Sequence, residues 1–159
     1  MILVLLGTQN NSFHRLLEKI EELIQKNVIK EEVVVQAGYT KYESKNMKIL
    51  NFIDKEQLNR LQEEAKLIIT HGGVGSIISS INKGKTVIAI PRLHQYKEHV
   101  NDHQKEIVEL FNQKGYIIGI KEVEELEKAI EMSKNFKPKK YEGNNNKMLK
   151  IIEDFINKV

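Results

Sequence analysis

The chain has 159 residues, of which 40% are hydrophobic and 30% charged, and its formal net charge is +3. This composition is typical of one soluble globular domain spanning residues 1–159, and it argues against long disordered segments. The absence of cysteine excludes disulfides, thiolate metal sites and cysteine nucleophiles and fits a reducing cytoplasm, while the sparse aromatic residues argue against nucleic-acid binding.

Apolar runs and helically spaced apolar residues alternate along the chain, and no apolar run approaches the roughly 20 residues of a membrane span. In chain order the sequence predicts strand 2–6, helix 16–24, strand 32–37, a weaker strand 47–52, helix 58–65, strand 67–69, helix 77–81, strand 86–90, helix 107–111, strand 116–120, helix 123–130 and helix 148–159. The polar segments 8–12, 92–101 and 135–146 are predicted loops; the first is rich in capping residues, and Asp54 is expected to cap the helix that follows it.

This alternation predicts an α/β fold of three layers, in which a parallel sheet is covered by helices on both faces. Ligands of such sheets bind beyond the carboxyl ends of the strands. The rule selects four loops, which follow Leu6, Ala37, Thr70 and Pro91.

The strongest motif is Thr70-His71-Gly72-Gly73-Val74-Gly75-Ser76, between a predicted strand and a predicted helix. Its glycines permit a close backbone approach and positive φ angles. The amides of Gly75, Ser76 and Ile77 are expected at the helix N-terminus, where they and the helix dipole can bind a pyrophosphate, and Ser76 can add a hydroxyl donor. The spacing is neither the dinucleotide fingerprint nor the P-loop. The alternative is a tight turn that binds nothing.

Two further residues near these loops have open interpretations. His71 can donate a hydrogen bond to a phosphate or to the sugar-nucleotide, or it can bond to the neighbouring backbone and shape the turn. Thr8, which follows Gly7 in the first loop, can contact a donor molecule or simply belong to the turn before the helix. The loop over residues 36–39 carries a glycine that permits close approach, but its signal is weak.

The loop after Pro91 carries a second cluster of polar residues. One βαβ unit joins its strand to that of the glycine loop, so the two loops are expected to face each other across one crevice. A carboxylate in this cluster can accept both hydroxyls of a ribose, amides can recognise sugar hydroxyls, and an arginine can neutralise phosphate charge. The candidates are Arg92 for phosphate, Glu98 or Asp102 for ribose, and Asn101 and Gln104 for the sugar. The alternative is that Asn101 and Asp102 cap the following helix.

A metal site is not expected. His99 and His103 have the i, i+4 spacing of some zinc sites, but no third ligand is obvious.

Taken together, these segments resemble the carboxyl-terminal domain of the family-28 glycosyltransferases. Short stand-alone members are more similar still, namely the soluble subunit of the eukaryotic Alg13/Alg14 N-acetylglucosaminyl transferase and the bacterial PssE-type proteins of capsule and exopolysaccharide synthesis. The resemblance runs from Met1 to about Gly119 and is carried by Gly7-Thr8-Gln9, Gln36-Ala37-Gly38-Tyr39, Thr70 to Ser76, Gly84-Lys85, Ile90-Pro91-Arg92 and Glu98 to Gln104.

The resemblance implies one half of a GT-B fold, in which two Rossmann-like domains hold donor and acceptor between them. This chain would be a single nucleotide-sugar-binding domain that holds a UDP-sugar. The glycine loop and Ser76 would bind its diphosphate, Glu98 its ribose, and the segment from Asn101 to Gln104 its sugar. The implied binding residues are Gly7, Thr8, His71, Gly72, Gly73, Val74, Gly75, Ser76, Arg92, Glu98, Asn101, Asp102, His103 and Gln104.

The resemblance also implies what this chain would lack. A membrane-associated Alg14/PssD-like partner would bring the lipid-linked acceptor and the catalytic base, with His71 as the candidate base on this chain, and would recruit it to the cytoplasmic face of the membrane. Enzymes of this fold stabilise the leaving diphosphate with backbone dipoles and basic groups, and the sequence has no Asp-x-Asp motif, so neither metal nor cofactor is expected. The last predicted helix has a wide apolar arc, which fits packing on its own sheet or crossing to a partner.

We therefore expect the donor-binding subunit of a UDP-sugar-dependent glycosyltransferase that transfers a hexose-type sugar in capsule, exopolysaccharide or glycolipid synthesis. Two alternatives stay open. One is a non-catalytic UDP-sugar-binding regulatory module, and the other is a UDP-sugar epimerase-like enzyme that pairs two copies of the chain.

Overall fold

A computed structural model describes residues 1–142 together with Lys150 and Glu153. In this part of the chain six strands form one parallel sheet in the order β3-β2-β1-β4-β5-β6. The strands are β1 Ile2–Leu5, β2 Val33–Gln36, β3 Lys48–Leu50, β4 Leu67–His71, β5 Thr86–Ile90 and β6 Ile118–Gly119. The helices are α1 His14–Gln25, α2 Lys55–Glu64, α3 Val74–Asn82, α4 His103–Gln113 and α5 Leu126–Ser133, with 3₁₀ turns over His94–Tyr96 and Val123–Glu125.

Both faces of the sheet are buried, which explains why its strands are continuous apolar runs. Successive side chains of a strand point to opposite faces. Along β1, Val4 lies in a core shared with α1 and α5, whereas Leu3 and Leu5 lie in a second core with α3 and α4. The predicted three-layer α/β architecture is confirmed.

The strand order reverses between β1 and β4, and this reversal positions the functional site. The chain continues from β1 to β2 and β3 on one side of the sheet, and from β4 to β5 and β6 on the other. In doubly wound sheets the loops that follow the two strands at such a reversal separate and leave a ligand crevice. Here they are the loop after Leu5 and the glycine loop after His71.

The start of α1 differs from the prediction. No side chain of the polar segment 8–12 caps this helix, whose N-cap is Phe13. The Phe13 amide instead donates to Oγ1 of the buried Thr40 at 3.0 Å. The prediction for Asp54 is confirmed, since its Oδ1 accepts the Gln57 amide at 2.7 Å at the start of α2.

The strand predicted over 116–120 is only two residues long. The Tyr116 amide still donates to the Phe111 carbonyl at the end of α4, so the strand begins later than predicted. At the outer edge of β6, which has no further strand beside it in the described part of the chain, the Gly119 amide donates to Oδ1 of Asn112 in α4.

The helix predicted over 148–159 lies outside the described residues. Within the described part, no helix has both the length and the apolar character required to cross a bilayer.

Candidate functional site

A crevice of about 290 Å³ opens at the carboxyl edge of the sheet, where the strand order reverses. The loop after β1 and the glycine loop after β4 contribute to its lining, together with residues at the ends of β2 and β3 and at the start of α2. Its lining residues are Leu5, Gly7, Thr8, Gln9, Gln36, Phe52, Ile53, Leu58, His71, Gly73, Gly75 and Ser76. The crevice therefore occupies the place where this topology binds ligands.

The first turn of α3 presents backbone amides at this crevice. The helix begins at Val74, and the Ile77 amide already donates to the Gly73 carbonyl at 3.1 Å. The amides without a partner in the described structure are consequently those of Val74, Gly75 and Ser76, which corrects the predicted set by one position. No acidic side chain lies in this turn, so the positive end of the helix dipole is available to an anion.

The His71 imidazole lies between two glycines. A β-carbon at Gly7 would lie 2.6 Å from its Nε2, and a β-carbon at Gly73 would lie 2.3 Å from its Cε1. Gly7 also has a φ angle of +82°. Its amide donates to Gln36 Oε1 and its carbonyl accepts from Gln36 Nε2, at 3.1 and 3.0 Å. The two glycines are thus required for the loops to close around the ring.

Two side chains approach the nitrogens of His71. Nδ1 lies 3.1 Å from Nε2 of Gln104, and Nε2 lies 3.3 Å from Oγ of Ser76. The histidine is 5% exposed. Burial lowers the pKa of His71 to about 3, and the nearby positive charge of Arg92 acts in the same direction. The ring is therefore neutral at physiological pH.

This neutral histidine should make the protein sensitive to acid. Its folded-state pKa lies below the unfolded value, so the unfolded chain takes up the proton first; the stabilisation is complete above about pH 6.5 and is lost as the pH falls toward 3. We expect His71 to contribute up to about 1.4 kcal/mol of lost stability per pH unit in this window. His71→Asn keeps an acceptor for Gln104 but does not titrate. Urea unfolding of both proteins from about pH 4 to 7 should give a steeper dependence for the parent, and equal slopes would contradict this.

The segment from Arg92 to Gln104, which the sequence predicts as the opposite wall, does not line this crevice. Arg92 is 1% exposed, and its guanidinium donates to main-chain carbonyls. Burial lowers the pKa of Arg92 to about 10, although the Glu98 carboxylate opposes this shift. Arg92 therefore connects loops inside the protein and is not available to a phosphate. The acceptors are the carbonyls of Leu6, Asn11 and Glu98.

The carboxylate of Glu98 is also committed to the protein. Its Oε2 accepts Nε of Arg15 at 2.8 Å, and its Oε1 accepts both Nη2 of Arg15 and the Leu93 amide at 3.0 Å. With a side chain only 4% exposed, Glu98 faces Arg15 and Leu93 and does not line the crevice. The ribose role that the sequence predicts for it therefore stays a prediction that this geometry does not support.

The remaining polar residues of the segment organise its backbone. Oδ1 of Asn101 accepts the His103 amide at 3.0 Å in the turn before α4. Asp102 is the N-cap residue but makes no side-chain capping bond, and its Oδ1 accepts the His94 amide at 2.9 Å. Gln104 is buried between the two loops. The described residues contain no cluster of three potential metal ligands, and Nδ1 of His99 accepts the Asn101 amide at 3.2 Å.

The crevice therefore brings together only some of the predicted binding residues, namely Gly7, Thr8, His71, Gly73, Gly75 and Ser76. Gly72 and Val74 belong to the glycine loop without lining the crevice. Sequence reasoning placed Gln9 in the loop after Gly7 without listing it among the binding residues, and it missed Phe52, Ile53 and Leu58. A signal for Phe52 existed, because the carboxyl end of every parallel strand meets the same edge, but the short strand before it was only weakly predicted.

Comparison with known protein families identifies a match over the whole chain. The model of the glycosyltransferase family 28 C-terminal domain matches residues 1–159. The UDP-N-acetylglucosamine transferase subunit ALG13 of Candida albicans is 28% identical over 112 residues, which cover 70% of this chain and 36% of that protein. The chain thus spans about a third of the length of this curated relative.

Solved glycosyltransferase structures share the fold. The NMR solution structure of ALG13 has a TM-score of 0.58 at 18% identity, covering 95% of this chain and 93% of that one. The glycotransferase of kitacinnamycin has a TM-score of 0.60 at 18% identity, with coverages of 84% and 35%. MurG of Acinetobacter baumannii has a TM-score of 0.57 at 19% identity, with coverages of 81% and 40%. These similarities confirm the Rossmann-like half of a GT-B fold.

Proposed function

This chain belongs to the glycosyltransferase family 28 C-terminal domain family, and we propose that it is the donor-binding subunit of a UDP-sugar-dependent glycosyltransferase. The observation that carries the proposal is the crevice at the strand reversal, where the first turn of α3 offers amides without partners. A diphosphate is a suitable ligand for such amides, because they supply both hydrogen bonds and the positive end of a dipole.

In this proposal the diphosphate lies at the amides of Gly75 and Ser76, and the nucleobase extends toward Phe52. Phe52 lines the crevice, is 56% exposed and makes an edge-to-face pair with Tyr39 at a centroid distance of 4.9 Å. A supported aromatic ring of this kind is a good stacking surface for a base. Thr8 and Gln9, across the crevice, can hydrogen-bond the rest of the donor.

The proposed chemistry is stabilisation of the leaving UDP. Transfer of the sugar leaves negative charge on the diphosphate, and fixed amide dipoles and hydroxyl donors aimed at that position lower the barrier. The amides of α3 and the hydroxyl of Ser76 would supply this stabilisation without a metal ion or a cofactor.

Activation of the acceptor requires a second protein in this proposal. The residues that line the crevice include no aspartate or glutamate, and the only histidine among them, His71, is a very weak base because of its burial. We therefore assign the catalytic base to a membrane-associated Alg14/PssD-like partner that also holds the lipid-linked acceptor at the cytoplasmic face of the membrane.

Exposed apolar side chains support this assignment. Four of them, Tyr39, Phe52, Tyr96 and Val100, lie in loops that follow β2, β3 and β5, at the same edge as the crevice. Apolar groups around a ligand site are typical of a surface that a second protein covers. The transferred sugar would be of the hexose type, for a capsule, exopolysaccharide or glycolipid.

The first test is binding of UDP and of a panel of UDP-sugars to the isolated chain by calorimetry. We expect binding that Phe52→Ala weakens by about 5-fold to 150-fold, since stacking of one base contributes about 1–3 kcal/mol. Tyr96→Ala is the matched control at the same edge of the sheet and should bind UDP like the parent. Unchanged affinity in Phe52→Ala would contradict the placement of the base.

The second part of the test is transfer to a lipid-linked acceptor, with and without a co-expressed membrane-associated subunit. Transfer only in the presence of that subunit is expected. Transfer by the isolated chain would contradict the division of labour, and UDP binding without turnover with any partner would favour the regulatory module.

A further inference from the structure

The buried side chain of Gln104 has only one orientation that satisfies its neighbours. One end of its amide lies 3.0 Å from the Gly72 nitrogen and 3.0 Å from the Arg92 nitrogen. Both neighbours are main-chain N–H groups, which can only donate, so this end must be the carbonyl oxygen Oε1. The other end, Nε2, is the amino group, and it faces Nδ1 of His71 at 3.1 Å.

This orientation determines where the proton of His71 lies. An amino group donates and does not accept, so Nδ1 of the ring has to be the acceptor. The neutral imidazole then carries its proton on Nε2, the atom that lies 3.3 Å from Oγ of Ser76. The donors therefore run in one direction, from Gln104 through His71 to Ser76.

The last member of this chain faces the crevice. Oγ of Ser76 makes no hydrogen bond among the described residues other than the one with His71, and Ser76 lines the crevice. When Oγ accepts the Nε2 proton, its own proton remains available to an anionic oxygen bound at the start of α3. Hydrogen bonds in such a chain polarise one another, so each donor is strengthened by the one before it.

We propose that Gln104 is a positioning residue, which holds His71 as an Nε2–H donor so that the donor chain ends at the phosphate subsite. The proposal rests on the proposed function, because it needs a diphosphate at the first turn of α3. Gln104 acts without touching the ligand: its amide joins the glycine loop, the loop after β5 and the ring. His71 is then a donor to Ser76, whose hydroxyl donates to the leaving group, and His71 does not act as a base.

The tautomer can be measured on the parent protein without a ligand. In ¹⁵N-histidine-labelled protein, long-range ¹H–¹⁵N spectra should show a protonated Nε2 and an unprotonated Nδ1 for His71 at neutral pH. A proton on Nδ1 would overturn the proposal, whether or not the chain binds UDP.

The variant that tests the role of Gln104 is Gln104→Glu. A carboxylate still accepts the two main-chain N–H groups but cannot donate to His71, so the ring proton should move to Nδ1 and Nε2 should become an acceptor. We expect UDP affinity at least about tenfold below that of the parent at neutral pH. The carboxylate of the variant favours a positive charge on the adjacent ring and so raises the pKa of His71 above that in the parent. The ratio of the two affinities should therefore recover as the pH falls, because a second proton on the ring restores the Nε2 donor. Because the variant and the parent are measured at the same pH, titration of the UDP phosphates changes both affinities alike and does not change their ratio.

The matched control is Gln62→Glu. Gln62 is also a buried glutamine next to α3, and its Nε2 donates to the hydroxyls of Ser79 and Ser80 at 2.9 and 3.2 Å. The Gln62→Glu variant should be less stable than the parent, but the ratio of its UDP affinity to that of the parent should not change with pH. A Gln104→Glu variant that binds UDP like the parent at every pH would overturn the positioning role alone, whereas a parent that binds no UDP would overturn the proposed function as well.

Discussion

The Gly75→Ala variant is expected to bind UDP at least about tenfold more weakly than the parent while folding at least as stably. Gly75 occupies the first turn of α3 and lines the crevice. A β-carbon at this position would meet no atom of the protein within 4 Å, so the fold has room for it. Alanine is also a better helix former than glycine by about 0.5–1 kcal/mol. The added methyl group, however, lies beside the amides that a diphosphate oxygen must approach.

The other end of the same helix provides the control for Gly75→Ala. Gly84 follows α3 with a φ angle of +73°, and a β-carbon there would also meet nothing within 4 Å. Gly84→Ala should lower the free energy of unfolding by about 1 kcal/mol, because alanine resists positive φ, and should leave UDP binding unchanged. If α3 binds the diphosphate, calorimetry should show weaker UDP binding for Gly75→Ala alone, and urea unfolding should show lower stability for Gly84→Ala alone. Parent-like UDP affinity in Gly75→Ala would refute that site.

The Glu98→Gln variant is expected to lose about 3 kcal/mol of stability without losing UDP affinity. The carboxylate of Glu98 lies between the guanidinium groups of Arg15 and Arg92. The guanidinium of Arg15 lies 5.4 Å from the ring of Phe13, and that of Arg92 lies 5.2 Å from the same ring. A glutamine of the same shape can still accept the Leu93 amide, but it leaves the buried Arg92 without its counter-charge and Arg15 with only the more exposed Glu122 at 3.7 Å. Removal of one partner from a buried ion pair is costly for that reason.

This variant separates the structural role of Glu98 from the ribose role that its sequence context suggests. A carboxylate that held the ribose would produce the reverse result, with affinity lost and stability retained. Glu22→Gln is the control, because Glu22 pairs with Lys19 and Lys26 on the surface and its loss should leave unfolding unchanged. Urea unfolding gives the stability, and UDP titration at low temperature, where the variant remains folded, gives the affinity.

The fold was predictable because its signal is local and repeated. A strand such as β1 is apolar at every position because both faces are buried, and this can be read from Ile2 to Leu5 alone. The order of the strands was not readable in this way, because no pattern within β1 shows that its neighbours are β2 and β4. The segment after β3 was missed, and Phe52 with it, because the short strand before it was only weakly predicted.

The site was predictable where backbone groups bind the ligand. A glycine loop before a helix places free amides at the helix N-terminus, and this depends on local sequence alone, so Gly75 and Ser76 could be predicted as anion-binding residues. Some residues of types that commonly bind ligands have structural roles here, because their partners lie far away in sequence. These residues are Arg92, Glu98 and Gln104. Arg15 lies 83 positions from Glu98, and His71 lies 33 positions from Gln104.

The placement of His71 between Gly7 and Gly73 constrains the order in which these positions can change during evolution. Gly73 has a φ angle of −71°, which any residue adopts, and the three atoms nearest to a β-carbon there all belong to the imidazole of His71. A substitution at Gly73 becomes tolerable after His71 is replaced by a smaller residue, and harmful before it. Gly7 gains no such freedom, because its φ angle of +82° favours glycine whatever occupies position 71. Lineages that lose the histidine should therefore diversify at position 73 while retaining glycine at position 7.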